Sequence, residues 1–224
     1  MFWFHQDLKG LENQIQELEY DPKLVFYGSS TFTLWSELTT IFKKHKPINL
    51  GFGGSTLAAC TWFFDRVFKN IKDIDAIIIY AGDNDLGDGR HPEEVLLFLE
   101  NLLLKIRTKY GNIKCTYISI KPSIARENLL ESIHYTNSKI KELVFKDDNF
   151  YYVNIYDALL DENGNPDIKY FKEDGLHFNT KGNQILAKAL KLHPEIFPEK
   201  NAREDLKKQY LTKKNCFLHE KRVS

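Results

Sequence analysis

The chain has 224 residues, 42% of them hydrophobic and 28% charged, with 31 basic and 31 acidic side chains. That size and apolar content suit one globular core, and a formal net charge of zero gives no electrostatic reason to expect nucleic acid as a partner. No apolar run approaches the roughly 20 residues that span a bilayer, and Cys60, Cys115 and Cys216 stand too far apart for a disulfide framework or a CxxC metal site.

In chain order, Met1 to Asp7 lacks a basic segment, and its apolar run is too short for a secretory signal. A reduced, cytoplasmic protein is therefore expected. Leu8, Leu11, Ile15 and Leu18 recur at near-helical spacing, which predicts a helix over Leu8 to Tyr20. Short apolar runs rich in β-branched and aromatic residues follow at Leu24 to Tyr27, Ile48 to Leu50, Ala76 to Tyr80, Cys115 to Ile120 and Phe150 to Ile155. Between them lie stretches of helical spacing at Thr31 to Lys44, Thr56 to Asn70, Pro92 to Tyr110 and Glu127 to Lys146, with a last helix at Thr180 to Leu192. Wholly apolar strands alternating with helices predict an α/β fold, a parallel sheet covered on both faces as a three-layer α/β/α sandwich. Residues 1–192 then form one domain, and residues 193–224 a basic extension, helical and docked, with eight Lys/Arg against five Asp/Glu.

Ligands of such sheets bind beyond the carboxyl ends of the strands, so the chemistry is sought in the loops there. After the first strand comes Gly28-Ser29-Ser30 and then a helix. A serine there can attack while its own N–H, an unpaired helix-start donor, stabilises the oxyanion. It can equally be a plain helix cap. The second strand runs into Gly51-Phe52-Gly53-Gly54-Ser55-Thr56, whose glycines permit close backbone approach to a ligand or simply make a turn. The third ends in Gly82-Asp83-Asn84-Asp85, where a side-chain amide can also serve an oxyanion. The acidic cluster Asp83, Asp85, Asp88 fits a calcium loop poorly, because Asp88 falls where an EF-hand requires glycine. Asp174-Gly175-Leu176-His177 places a carboxylate and an imidazole three residues apart, a spacing that can orient the ring as a base.

These four segments, in this order, resemble the SGNH (GDSL-like) hydrolase family, whose blocks carry Ser, Gly, Asn and His. The resemblance covers about Leu8 to Leu192. It looks most like a bacterial group sharing the Gly-Ser-Ser elbow with Thr33-Leu34-Trp35, the Tyr-Ala-Gly-Asp-Asn-Asp block and the stretch Ile118 to Ser123. It implies a flavodoxin-like five-stranded parallel sheet, and Ser30, His177 and Asp174 as nucleophile, base and orienting acid. It also implies an oxyanion hole from the Ser30 N–H, the Gly54 N–H (with Gly53 as alternative) and the Asn84 amide. The chain departs from the family's commonest first block in carrying Ser29 where Asp is usual, although Ser is usual in this group.

The activity implied is a serine esterase or acylhydrolase, without metal or other cofactor, acting on a small-molecule or carbohydrate ester with a short acyl group. A lipid or thioester hydrolase and a non-catalytic binding module on the same fold are the alternatives. Ser29, Asp83, Asp85, Lys121 and Arg126 sit at the same sheet edge and are candidates for substrate contact, with Lys121 and Arg126 more readily paired to Asp83, Asp85 or Asp88.

Overall fold

The computed structural model describes residues 2–198. Five strands form one parallel sheet: β1 (Leu24–Gly28), β2 (Pro47–Gly51), β3 (Ala76–Tyr80), β4 (Lys114–Ile118) and β5 (Phe150–Val153), in the order β2-β1-β3-β4-β5. This is the α/β architecture that the apolar strands predict.

The two faces of the sheet feed two cores. Val25, Tyr27, Ile77, Ile79, Cys115 and Tyr117 point to one side, where they meet α1 (His5–Gln16), α4 (Leu57–Val67), α6 (Pro92–Tyr110) and α7 (Leu130–Glu142). Leu24, Phe26, Ala76, Ile78 and Tyr80 point to the other, against α2 (Ser30–Thr33), α3 (Leu38–Ile41) and α8 (Thr180–Lys191). Alternate residues leave on opposite faces of a strand, and all five positions of β1 and of β3 are buried. Each such Ile, Leu or Phe contributes about 1.5–3 kcal/mol when removed from water.

Several elements differ from expectation. The stretch Thr31 to Lys44 is not one helix but α2, α3 and a 3-10 turn at Lys43–His45. Four threonines and three aromatic residues in this stretch are weak helix formers, and Trp35 and Phe42 are drawn into the second core. Similarly, Glu127 to Lys146 divides into part of the 3-10 segment Ile124–Leu129, then α7, then the 3-10 turn Leu143–Lys146. β4 stops at Ile118 because the Ile120 backbone pairs instead with the Asn137 side-chain amide, at 2.8 Å for both the N–H and the carbonyl. The first helix starts earlier and ends earlier than predicted, and Arg66 of α4 binds Glu12 of α1 at 2.6 and 3.1 Å.

The predicted extension begins with a 3-10 turn at Pro194–Ile196, and Phe197 stacks on His45 and Phe42 with centroids 4.4 and 5.6 Å away. Its remainder lies outside the described residues. Cys60 and Cys115 are buried free thiols. No helix among the described residues is long and apolar enough to cross a membrane.

Candidate active site

Gly28 closes β1 with φ +152°, and a Cβ there would lie 1.9 Å from the Tyr80 carbonyl oxygen. Only glycine lets β1 and β3 stay this close at the point where the chain turns. Ser29 is extended and its N–H donates to Tyr80 O at 2.9 Å, while its own carbonyl accepts from Phe32 N–H at 3.0 Å and begins α2. Ser30 is thereby lifted to the first position of a turn. Its N–H makes no hydrogen bond among the described residues.

The loop after β2 lies beside it. Phe52 N–H donates to Gly28 O at 2.9 Å, which ties the two strand ends together. A Cβ on Gly53 or Gly54 would meet nothing within 4 Å, and Gly54 has φ +68°. Both therefore border open space, and Gly54 adopts a backbone conformation that favours glycine. Thr56 caps α4 by accepting from Ala59 N–H at 3.0 Å. Asn84, in α5 (Asp83–Gly87), donates from Nδ2 to Ser55 O at 3.0 Å. A primary amide has two N–H bonds, so one secures the glycine loop and the second is left over.

The fourth segment approaches from the far end of the chain. Asp174 Oδ1 accepts from the N–H groups of Leu176 and His177, both at 2.9 Å, and Oδ2 contacts His177 Nδ1 at 2.6 Å. The other ring nitrogen, Nε2, lies 3.0 Å from Ser30 Oγ across 147 residues of sequence. Bonds from the His177 side chain, then from the His177 and Leu176 N–H groups, hold the Asp174 carboxyl well below the usual carboxylate range. Its charge is thus secured beside the imidazole, where it fixes the tautomer with Nε2 facing the serine.

The expected substrate contacts are distributed differently. Ser29, Asp83, Asp85 and Lys121 are buried, with 1, 5, 0 and 2% exposure, and so present no surface to a ligand. Lys121 Nζ binds Asp83 Oδ2 at 2.7 Å and Tyr80 Oη at 3.2 Å. Burial would raise the Asp83 carboxyl, but the Lys121 charge and hydrogen bond outweigh it and the carboxyl is lowered. Asp85 accepts from Leu57 N–H at 2.7 Å and Ala58 N–H at 3.3 Å, the unpaired donors at the start of α4. Of the two cations expected in internal ion pairs, Lys121 is in one. Arg126 is not: its side chain makes no ion pair with Asp83, Asp85 or Asp88.

The sequence profile of the GDSL-like lipase/acylhydrolase family matches residues 24–185. The chain belongs to that family. Among solved structures, it resembles a Streptococcus pneumonia protein provisionally named platelet activating factor, at TM-score 0.74 and 23% identity over 85% of this chain and 94% of that one. A GDSL-like lipase from Bacteroides thetaiotaomicron aligns at TM-score 0.72 and 21% identity, covering 84% and 97%. A carbohydrate esterase family 3 protein from Talaromyces cellulolyticus aligns at 0.62 and 18%, covering 78% and 98%. At these identities the likeness speaks for the fold. No curated protein matches the chain.

Some residues of this GDSL-like hydrolase that hold the site were not singled out from sequence. Asn137, in the middle of α7, fastens the segment after β4 through both its amide groups. Asn179 caps α8 through Lys181 and Gly182 N–H at 2.9 and 3.1 Å, and its Nδ2 binds the Lys169 and Phe171 carbonyls, both at 2.9 Å. The Asn179 cap carries a local signal, a polar residue directly before a helix. Asn137 carries none, because its partner is 17 residues away.

Proposed function

We propose that the protein is a serine esterase for short-acyl esters, with Ser30 as nucleophile, His177 as base and Asp174 as the acid that orients it. The observation that carries this reading is the continuous relay from Asp174 Oδ2 through the two nitrogens of His177 to Ser30 Oγ.

His177 Nε2 takes the Ser30 proton as Oγ attacks the ester carbonyl. The oxyanion is met by the Ser30 N–H, the Gly54 N–H and the second N–H of the Asn84 amide, and Asp174 stabilises the imidazolium. The proton then passes to the leaving alcohol. Water, activated by the same imidazole, releases the acid and regenerates the serine. Every step uses side chains and backbone donors of the chain itself.

The preference for a short acyl group is supported by the two short connections that carry Ser30 and Asn84. Ser29 alone separates β1 from α2, and Ala81 and Gly82 alone separate β3 from α5. Neither of those two connections supplies material for a lid over a long acyl chain. The test is hydrolysis of p-nitrophenyl esters of increasing acyl length by wild type and Ser30→Ala. Wild type turns over the short esters, and the variant loses activity by roughly 10,000-fold or more. Equal activity in the two proteins would remove Ser30 from the chemistry. A maximum at long acyl chains would instead make this a lipid hydrolase.

A further inference from the structure

Of the two cations that follow β4, Lys121 is paired, whereas the Arg126 side chain makes no hydrogen bond or ion pair with a described residue. It follows β4 on the 3-10 segment Ile124–Leu129, at a position whose φ of −124° and ψ of 23° break the helical run. Its guanidinium lies against Gly87, the last residue of α5. A Cβ on that glycine would stand 2.4 Å from Cζ, 2.5 Å from Nη2 and 2.8 Å from Nη1. Glycine thus leaves the space that the guanidinium occupies.

One contact of the guanidinium and one of the neighbouring backbone put Arg126 beside the segments that carry the candidate active site. Gly87 lies three residues after Asn84 on the same short helix, a spacing that sets residues on one helical face. The residue before Arg126, Ala125, donates its N–H to Gly175 O at 3.1 Å, and Gly175 lies between Asp174 and His177. The arginine is therefore held between the Asn84 helix and the histidine loop.

Its hydrogen-bonding capacity is unspent. The Nε is buried with no partner, while the side chain as a whole stays partly exposed and its terminal nitrogens are unbonded among the described residues. The carboxylate whose charge it favours, Asp83, is already bound to Lys121 Nζ and to Asn84 N–H at 3.0 Å. Asp85 is spent on α4 and on Arg90, 3.4 Å away. A guanidinium with free terminal donors matches the paired oxygens of a carboxylate or phosphate.

We propose that Arg126 is a specificity-determining residue that binds an anionic group, carboxylate or phosphate, on the ester substrate. The kinetic arm of its test rests on the esterase reading above; the binding arm does not.

For the kinetic arm, kcat/KM is measured for 4-acetoxybenzoate, 4-acetoxyphenyl phosphate and the neutral 4-acetoxybenzamide. The ratio of anionic to neutral ester falls on the order of tenfold in Arg126→Ala, and Arg126→Lys recovers part of it. Gly87→Ala, which leaves the arginine in the sequence but fills its place, lowers the same ratio. The anion with the larger loss identifies the source. For the binding arm, 4-hydroxybenzoate and phenyl phosphate are titrated calorimetrically into Ser30→Ala protein with and without Arg126→Ala. Weaker binding in the double variant supports the proposal whether or not any ester is turned over. Unchanged ratios, or affinities indifferent to Arg126, overturn it. Equal hydrolysis by wild type and Ser30→Ala would sink the esterase reading while leaving the binding result to judge Arg126.

Discussion

In the proposed mechanism Asn84 does two jobs with one side chain. One amide N–H holds the glycine loop through Ser55 O, and the other is available for charge developing on a substrate oxygen. Donors of the second kind act mainly in the transition state, so their loss appears in kcat. Asn84→Ala is expected to lower kcat by roughly 100- to 1,000-fold with a much smaller change in KM, measured by steady-state kinetics on a short p-nitrophenyl ester. A raised KM at unchanged kcat would assign the amide to ground-state binding instead. Residues of this kind were singled out in the sequence because each stands where a strand ends or a helix is about to begin. Ser30, Asn84 and His177 follow strands or precede a helix, and their order along the chain carries the family resemblance. Side chains that act through distant partners were not legible. Ser29, Asp83, Asp85 and Lys121 share that sheet edge but point inward, and only the fold distinguishes Lys121, which is paired, from Arg126, which is not.

At the scale of elements, the long apolar-periodic stretch Pro92–Tyr110 is one helix as predicted, while the threonine- and aromatic-rich stretch after Ser30 breaks into short turns. Periodicity identifies a buried face but does not say how far the backbone hydrogen bonds continue. The junction between α5 and α4 shows what fixes these short pieces. Asp85 accepts from the first N–H groups of α4, and burial pushes its carboxyl up to about 6 despite those bonds. The folded state therefore holds the Asp85 proton more tightly than the unfolded chain, whose carboxyl titrates near 3.8. With more protons bound in the folded state, stability from this group falls as pH rises from about 4 to about 6, and is level above that. Asp85→Asn removes the titration. Urea unfolding between about pH 4 and pH 7 should show wild type losing stability relative to Asp85→Asn across that window. A difference between the two proteins that is independent of pH would contradict the assignment.

For the whole molecule, the sheet brings together segments far apart in the chain. Ser30 leaves the first strand, and His177 arrives 147 residues later, on a loop pinned by Asp174, by Ala125 and by the Asn179 cap of α8. Two cores on opposite faces of the sheet hold that edge rigid. The architecture was legible from the alternation of apolar runs and helical stretches, since parallel strands buried on both faces leave that pattern. The pairing of the imidazole with the hydroxyl was expected only through the family resemblance, because nothing local in either segment reports on the other. The central claim is that this meeting makes Ser30 an activated nucleophile. A fluorophosphonate tests it most directly: a serine oxygen attacks phosphorus, fluoride leaves, and the adduct is read by mass spectrometry of the intact chain and its peptides. The account predicts one phosphonyl group, on Ser30, absent from Ser30→Ala and formed about a hundredfold more slowly in His177→Gln. A wild-type chain that stays unmodified, or that is labelled equally after Ser30→Ala, would contradict it.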